Sequence, residues 1–319
     1  MKQSDERSEK VKALMEKLEA GVKAVFEDEN YIAYLKAMSQ FHHYSFRNVM
    51  LILLQCPHAT RVAGYNDWKK KFGRQVQAGE KGIAILAPSP RKFTMQQLKT
   101  DPNTKQYIIG KDGKPETEPV IVEYNEYRVV YVYDVSQTEG KELPSYGVDE
   151  LVGDVAHYDK LLGAISRISP VPIEFKLPDK TDGLCSYKEQ KIYISKGMSQ
   201  LHTIEIMIHE VAHAKLHDWT KKNEDYEQKN RRTREVEAES VAFVVCQHFG
   251  LDPSASAFPY IAGWSKGKEL EELNSSLERI SKTASYMIEQ IEKLCPEISR
   301  SITPCEPEPK TKKNSMPSR

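Results

Sequence analysis

The chain has 319 residues, and its 46 Lys and Arg residues balance its 46 Asp and Glu residues, so the formal net charge is zero. This length favours two domains over one. Because the chain has no overall positive charge, affinity for DNA would have to come from local clusters of basic residues. The longest apolar runs, residues 49–54 and 82–88, are too short to cross a bilayer, so we expect no membrane partner.

The amino-terminal run MKQSDERSEK is charged and lacks the apolar core of a secretory signal, which predicts a cytoplasmic protein. The five cysteines are widely scattered and form no CxxC pair, so neither a zinc ribbon nor a disulfide framework is indicated. We interpret them as buried small hydrophobic residues in a reducing compartment.

Three helices are expected at the start of the chain. Apolar residues three or four apart between Val11 and Phe26 predict the first helix, and a second is expected over residues 29–41. The third begins near Ser45, a suitable N-cap, and ends before Pro57, since the residue before a proline disfavours the helical conformation.

Short strands and turns are predicted over residues 61–88, where glycines separate apolar runs and GIAIL forms a buried strand. A polar loop follows, and then two further strands at residues 120–124 and 128–134. These elements predict an N-terminal α+β domain over residues 1–138. The polar stretch TEGKELPSYG predicts a linker at residues 139–147.

Basic residues are concentrated between positions 61 and 92, a stretch that contains eight lysines and arginines and only two acidic residues. Aromatic residues lie among them, and a basic groove with stacking aromatic side chains is what sequence-tolerant binding of single-stranded DNA requires. The candidate DNA-binding residues are Arg47, Arg61, Tyr65, Trp68, Lys69, Lys70, Lys71, Arg74 and Lys81. The alternative is that the aromatic residues form a core and the lysines a solvated surface.

Residues 148–295 are predicted to form a second domain. It begins with a helix over residues 148–166, followed by a strand at 173–176, a hairpin in SYKEQKIYIS and a helix in HTIEIMIHEVAHAKLH. A strand beside that helix would suit a peptidase, because an extended substrate can pair with its edge.

The last helix, predicted over residues 268–294, has apolar residues that alternate three and four apart as in a coiled-coil seam. One interpretation is a homodimer formed through residues 270–294, and the other is packing of the helix on its own domain. The tail, residues 296–319, is rich in proline, lysine and serine and is expected to be disordered.

The most informative motif is His209-Glu210-Val211-Ala212-His213. Two histidines four apart on a helix present both imidazoles to a single metal ion, and Glu210 can act there as a general base on water. The alternative is an ordinary amphipathic helix with two surface histidines, but the strongly apolar turn before the motif argues against it.

A catalytic zinc ion takes a third protein ligand. The run RRTREVEAESVAFVV predicts a helix that presents Glu235 and Glu239 on one face, with Glu237 turned away. We assign Glu235 as the third ligand and Glu239 as the acceptor of a liganding histidine's other N–H, and the reverse assignment stays open. His217 would lie too far along the helix to reach the same ion, so we expect it at the surface or beside the site.

With Zn²⁺ or another divalent ion bound, the motif predicts hydrolysis of peptide bonds, in which Glu210 takes a proton from water and passes it to the leaving amine. A donor to the oxyanion is also expected, and Tyr187, Tyr193 and Tyr226 are the candidates.

The stretch HEVAH…REVEAESVAFVV resembles the ImmA/IrrE-type metallo-endopeptidases, whose third ligand is the glutamate of an E-x-x-A motif. That motif here is Glu235-Val236-Glu237-Ala238, so the resemblance supports Glu235 over Glu239 and implies a zincin-like (gluzincin) domain. The N-terminal half resembles the single-stranded-DNA-binding domain of ArdC-type antirestriction proteins of conjugative elements. This likeness lies in YSFRNVMLILLQCPHATRVAGYNDWKKKFGRQVQAGEKGIAILAP and YDVSQTEG.

Together these resemblances imply a zinc metallopeptidase of a mobile element that binds single-stranded DNA, has an antirestriction role and cleaves a protein substrate that the sequence does not identify. Two alternatives stay open. In the first, the protein protects single-stranded DNA without proteolysis and its metal domain is structural. In the second, it cleaves one specific regulator, as the likeness to the ImmA/IrrE type suggests.

Overall fold

The computed structural model describes residues 2–25, 28–101, 105–110, 113–143, 157–176, 181–217, 231–253, 268–296 and 298. Helices and mainly antiparallel strands make up this chain, so the expected mixed α and β class is confirmed. Some sequence predictions fall outside the described residues: the end of the linker at 144–147, the start of the helix at 148–156, Tyr226, and nearly all of the tail at 296–319.

Three helices open the fold, as the sequence predicts: α1 (Lys2–Val25), α2 (Asp28–Gln40) and α3 (Phe46–Gln55). Ser45 caps α3, because its side chain accepts a hydrogen bond from the backbone N–H of Asn48. The helix ends at Cys56, immediately before Pro57. The N-cap and the proline therefore set both ends of α3, as predicted.

Five strands and one short helix follow among the described residues, and the strands form a three-stranded sheet in the order β1-β4-β3 and a separate β2–β5 pair. The elements are β1 (Val62–Gly64), α4 (Tyr65–Phe72), β2 (Arg74–Val76), β3 (Ile83–Leu98), β4 (Thr117–Asp134), a 3-10 turn (Val135–Gln137) and β5 (Thr138–Gly140). The linker predicted over 139–147 is therefore wrong at its start, since β5 pairs with β2 there.

The helix α4 was not expected, since the sequence predicts only strands and turns in this region. Trp68 and Phe72 lie one turn apart on α4, and Trp68 is fully buried in a small cluster with Ala63 and Val76. Gly73 ends the helix in the left-handed conformation, with φ of 63°. Tertiary burial of one indole ring thus decides the structure of this segment.

The two strands predicted at residues 120–124 and 128–134 form the single strand β4, because residues 125–127 keep their pairing with β3. The pairing runs without a break from Ile83↔Val132 to Leu98↔Thr117. The start of β3 is buried, as GIAIL predicts, whereas its outer part from Pro90 onward is exposed. Strands β3 and β4 therefore extend beyond the core as a two-stranded ribbon.

Asp134 fastens the end of β4 to the loop before β1. One carboxylate oxygen accepts the backbone N–H groups of Thr60 and Arg61, at 2.8 and 3.0 Å, and the other accepts the N–H and hydroxyl of Ser136, at 2.9 and 2.6 Å. Desolvation opposes ionisation here, but these hydrogen bonds outweigh it and lower the pKa of Asp134. Its stabilising effect is therefore present above pH ~4 and is lost as the pH falls through that lowered pKa.

Asp134→Asn should lower the free energy of unfolding by about 2–3 kcal/mol. One carboxylate oxygen is replaced by an NH₂ group, which cannot accept the hydrogen bonds that this oxygen accepts. Urea unfolding at pH 7 measures this loss. Asp159→Asn, at an exposed position in the first turn of a later helix, is the matched control and should change stability by under about 1 kcal/mol. Equal effects of the two substitutions would show that the Asp134 network contributes little.

The remaining elements are α5 (Tyr158–Ile168), β6 (Ile173–Lys176), β7 (Gly183–Ser186), β8 (Lys191–Ser195), α6 (Gln200–Leu216), α7 (Arg231–His248) and α8 (Leu270–Leu294). The predicted strand at 173–176, the hairpin and the three later helices are confirmed. The sheet order is β6-β8-β7, with β6 parallel and β7 antiparallel to β8, so β7 lies at an edge.

One continuous hydrophobic core joins both halves of the described chain. Helix α2 packs on α7, where the Tyr31 hydroxyl lies 2.7 Å from the Ser240 hydroxyl. The division into domains at residues 1–138 and 148–295 stays a prediction.

The apolar seam of α8 is buried against the chain's own helices, including α5 and α7. The buried seam residues are Leu273, Leu277, Ile280, Ala284, Met287 and Ile291. The helix α8 therefore packs on its own domain. A homodimer through residues 270–294 would need this apolar seam to be exposed, and it is already buried. No described helix combines the length and apolar character needed to cross a membrane.

Candidate metal centre and nucleic-acid interface

The HEVAH segment lies on α6, which begins at the N-cap Ser199 and is buried over most of its circumference between the β6–β8 sheet and α7. His209 and His213 lie one turn apart and point to the same side, where Glu235 of α7 approaches them. Their side chains are 15% and 11% exposed, so they lie at the floor of an accessible site.

Three potential ligand atoms converge there. His209 Nε2 lies 3.0 Å from His213 Nε2, and Glu235 Oε2 lies 3.7 and 3.4 Å from these two nitrogens. A point at the centre of this triangle is about 2 Å from all three atoms, which matches the Zn–N and Zn–O distances of zinc sites. The donor set of two imidazoles and one carboxylate, with a fourth direction open, therefore fits a divalent metal ion.

Glu239 lies beside the other ring nitrogen of His209, and its predicted role as acceptor of that N–H stays a prediction. His209 Nδ1 is 3.1 Å from Glu239 Oε2, but the ring N–H is not aligned for a hydrogen bond, so the contact is electrostatic. Glu235 approaches both histidine nitrogens that face the open side, whereas Glu239 approaches only the far nitrogen of His209. This geometry favours Glu235 as the third ligand.

The electrostatics of the cluster suit a cation. Burial disfavours a charge on His209, but the nearby carboxylates of Glu235 and Glu239 outweigh this effect and raise the pKa of His209 to about 10, so binding of a metal must displace a proton from this ring. Burial, with the neighbouring His209 and His217, lowers the pKa of His213 to about 4. Hydrogen bonds from the two histidines lower the pKa of Glu235. A neutral His213 and an ionised Glu235 are the forms that bind a metal.

Glu210 projects from α6 towards the edge strand β7. It is 8% exposed, and its burial raises its pKa, while the nearby His209 and a backbone hydrogen bond at Cys185 oppose that rise. A Cβ at Gly183 would stand 2.8 Å from Glu210 Oε1 and 2.5 Å from the Ile206 side chain. Glycine at position 183 therefore lets β7 lie directly on Glu210.

A buried chain of side chains behind His213 was not expected from the sequence. His213 Nδ1 lies 3.1 Å from His217 Nδ1, and His217 Nε2 lies 3.0 Å from Glu237 Oε2. Glu237 also accepts hydrogen bonds from Ser276 and Arg279 of α8. With His213 bound to a metal through Nε2, its Nδ1–H donates to His217, which in turn donates to Glu237.

The side chains of Glu237 and His217 are fully buried. Glu237 contacts His217 and α8, and it is not one of the three converging ligands. His217 lies beside the site, which is one of its two predicted positions. The spacing of four between His213 and His217 was the available signal for this contact. Glu237 gives no local signal, because its partners on α8 are about 40 positions away.

The tyrosines proposed as oxyanion donors have other partners. The Tyr187 hydroxyl donates to the backbone carbonyl of His213 at 3.3 Å, so this residue borders the site. The Tyr193 hydroxyl donates to Glu189 at 2.6 Å on the exposed side of β8. Among the described residues, Tyr187 is the candidate that lies closer to the metal ligands.

Two of the predicted DNA-binding residues serve the fold instead. Trp68 is fully buried and donates its indole N–H to the carbonyl of Tyr133 at 2.9 Å, so it cannot stack on a base. The guanidinium of Arg74 is held by Thr138, Gly140 and Lys141, where it joins β2 to β5. Both assignments to DNA are therefore corrected.

The other predicted residues lie at or near the surface. Lys69, Lys70, Lys71 and Lys81 are exposed, Tyr65 is 51% exposed, and Arg47 and Arg61 are partly exposed. Arg47 lies over the Phe46 ring, 5.4 Å from its centroid.

Sequence reasoning missed Tyr131, which is 52% exposed on the sheet face beside α4. It is two positions from Tyr133, whose ring contacts Tyr65 with a centroid distance of 6.1 Å. The alternation in YRVVYVYD was the available signal, because every second residue of a strand points to the same face.

The fold and the site define a mixed α+β protein with a His-His-Glu cluster suited to a divalent metal ion. Residues 4–133 match the family model of the N-terminal domain of anti-restriction factor ArdC, so this part of the chain is similar to that domain.

An uncharacterized protein of Bacillus anthracis is 29% identical over 335 residues, which cover 94% of this chain and 54% of that protein. The chain thus spans about half the length of the curated relative that it matches. Two crystal structures of antirestriction protein ArdC from the R388 plasmid, one metal-free and one Mn(II)-bound, align with TM-scores of 0.45 and 0.40. Both are 19% identical and cover 80% of this chain, with 86% and 88% of the ArdC chain covered in turn.

Proposed function

We propose that this chain is an antirestriction protein of a mobile element whose HEVAH centre hydrolyses peptide bonds with a bound divalent metal, most simply Zn²⁺. The convergence of His209 Nε2, His213 Nε2 and Glu235 Oε2 around one point carries this proposal. Glu210 beside them adds a general base, which a purely structural metal site does not need.

When bound, a divalent ion supplies a Lewis acid that polarises the scissile carbonyl and acidifies a water molecule. The chain's own residues then handle the substrate and the proton. Glu210 takes a proton from the water and returns it to the leaving amine. Tyr187 and the aligned pair His217–Glu237 fix the orientation of α6 and His213 during this exchange.

The substrate class follows from the edge strand. Strand β7 pairs with β8 on one side, and among the described residues no strand pairs with its other side. An extended polypeptide can add to that edge through backbone hydrogen bonds and would pass directly over Glu210. The proposed substrate is therefore an extended segment of a protein.

Glu235→Ala should remove one bound zinc ion per chain, because it deletes a ligand, whereas Glu239→Ala should keep the ion with about 10- to 100-fold weaker affinity. Metal analysis of the purified variants, combined with competition against a chelator, measures both effects. If Glu239→Ala loses the ion and Glu235→Ala keeps it, the two carboxylates have the reverse roles.

A second function, binding of single-stranded DNA, is supported by the exposed tyrosines beside the lysines of α4. Tyr65 and Tyr131 offer faces on which bases can stack, and Lys69 and Lys70 lie on the exposed side of the adjacent helix. This surface would bring the HEVAH centre to the single-stranded DNA of an incoming element.

Replacing Lys69, Lys70 and Lys71 together with glutamate should weaken binding of a single-stranded oligonucleotide. It should also reduce the slope of log affinity against log salt by about 2, since each lost phosphate contact removes about 0.7. Fluorescence anisotropy at several salt concentrations measures the slope.

The matched control changes Lys12, Lys17 and Lys23, three exposed lysines of α1, to glutamate. The control has the same net charge as the α4 variant, so equal loss of affinity in both would mean that α4 is not a specific DNA surface.

A further inference from the structure

A second cluster of potential metal ligands lies at the opposite end of α7 from the HEVAH centre. His42 follows α2, His248 is the last residue of α7, and Glu292 lies in the last turn of α8. Each offers one ligand atom, and the three atoms lie within 4.8 Å of one another. Thirteen positions of α7 separate Glu235 from His248, about 20 Å of helix, so the two clusters are distinct.

His248 is oriented as metal-binding histidines are. Its Nδ1–H donates to the backbone carbonyl of Ser39 at 3.0 Å, which leaves Nε2 as the nitrogen with the lone pair. That nitrogen lies 3.0 Å from Glu292 Oε1. Two acceptor atoms this close need a cation between them, either a proton or a metal ion.

His42 supplies the independent observation that points to a ligand. It is 6% exposed, and both of its ring nitrogens are buried without a hydrogen-bond partner among the described residues. An imidazole that is buried without hydrogen bonds lowers the stability of the fold, and a bound ion would explain its presence. Its ring centroid is 4.6 Å from that of His248, so its nitrogens are at the cluster.

We propose that His42, His248 and Glu292 form a second binding site for a divalent transition-metal ion of the zinc type. Imidazole nitrogens with one carboxylate are a donor set that zinc accepts, and the carbonyl of Ser39 fixes the orientation of His248. His42 also borders a cavity of about 320 Å³ between the α2–α3 loop and α8, from which a water molecule can complete the coordination.

The role of this site follows from its position. Its ligands come from the end of α2, the end of α7 and the end of α8, so one ion joins the N-terminal helices to the C-terminal half. The neighbouring contact, in which Ser285 donates to the carbonyl of His42, ties the same loop to α8. Ion binding to the folded chain alone stabilises it by mass action.

The test uses the full chain with the HEVAH centre disabled by His209→Ala and His213→Ala, so its outcome does not depend on the proposed peptidase function. Metal-stripped protein is titrated with Co²⁺ and followed by visible absorbance and by thermal unfolding. We expect one tightly bound Co²⁺ per chain and a higher unfolding temperature on binding. Adding Glu292→Gln should weaken Co²⁺ binding at least about 100-fold. Loss of a hydrogen bond to a liganding histidine would have a smaller effect.

His42→Gln in the same background is the second variant, and it should give the same loss. His157→Asn is the matched control: His157 is exposed and has φ of 57°, a conformation that asparagine tolerates, so Co²⁺ binding should not change. The proposal is overturned if the disabled chain binds no Co²⁺, or if Glu292→Gln binds it as tightly. In either case a proton, not a metal, lies between His248 and Glu292.

Discussion

Replacing Glu210 with glutamine should slow peptide hydrolysis at least about 100-fold while leaving the bound metal in place. The residue is not among the three converging ligands, so the donor set is intact in the variant. Glutamine has the same shape and fits under Gly183, but it cannot accept a proton from water. Because loss of a general base affects only the chemical step, binding of single-stranded DNA should not change.

Two measurements check this prediction. The first is cleavage of a labelled unfolded protein such as casein, with metal content determined on the same samples. The second is survival of incoming DNA in a restricting host that expresses each variant. Glu174→Gln, on the exposed β6 strand, is the matched control for the loss of a carboxylate and should behave as the parent protein does. Full protection by Glu210→Gln would mean that proteolysis is not the function, and the non-proteolytic alternative would hold.

The second large effect is expected at Glu237, whose carboxylate is fully buried between α7 and α8. Glu237→Ala removes the partner of His217, Ser276 and Arg279 together, and should lower the free energy of unfolding by about 3–5 kcal/mol. Since His217 would also lose its acceptor, His213 would be held less firmly. Metal affinity at the HEVAH centre should fall about 10- to 100-fold.

Urea unfolding and chelator competition measure the two consequences separately. Glu278→Ala is the control, because Glu278 makes an exposed ion pair with Lys282 on α8 and should contribute at most about 1 kcal/mol. Glu237→Gln should recover part of the stability, since an amide oxygen still accepts from Arg279. If Glu237→Ala unfolds like the control and binds metal normally, the buried chain behind His213 is neither structural nor positioning.

Local patterns predicted much of the fold and one side of the candidate site. The apolar periodicity gave the helices α1, α6, α7 and α8, and Ser45 with Pro57 gave the limits of α3. The spacing of four placed His209 and His213 on one face, and Glu235 with Glu239 on another. These inferences succeed because each depends on residues within one or two turns of helix.

The incorrect predictions involve packing between distant segments. Trp68 was assigned to DNA, but it is buried and donates its indole N–H to the carbonyl of Tyr133, 65 positions along the chain. Arg74 was assigned to DNA for its charge, yet its guanidinium donates hydrogen bonds to Thr138, Gly140 and Lys141. Composition predicts which side chains can bind an anion, whereas burial decides which of them are free to do so.

The sequence by itself determined the helical repeat of HEVAH, the acidic face of α7 and the α+β class, because these depend on short-range backbone geometry. Only the tertiary structure decided that Glu235 and the two histidines share one point, and that His217 and Glu237 extend the site into the core. It alone brought His42 to His248 and Glu292, about 200 and 250 positions away along the chain. Such contacts form when helices pack side by side, and the sequence between the helices does not indicate which of their faces will meet.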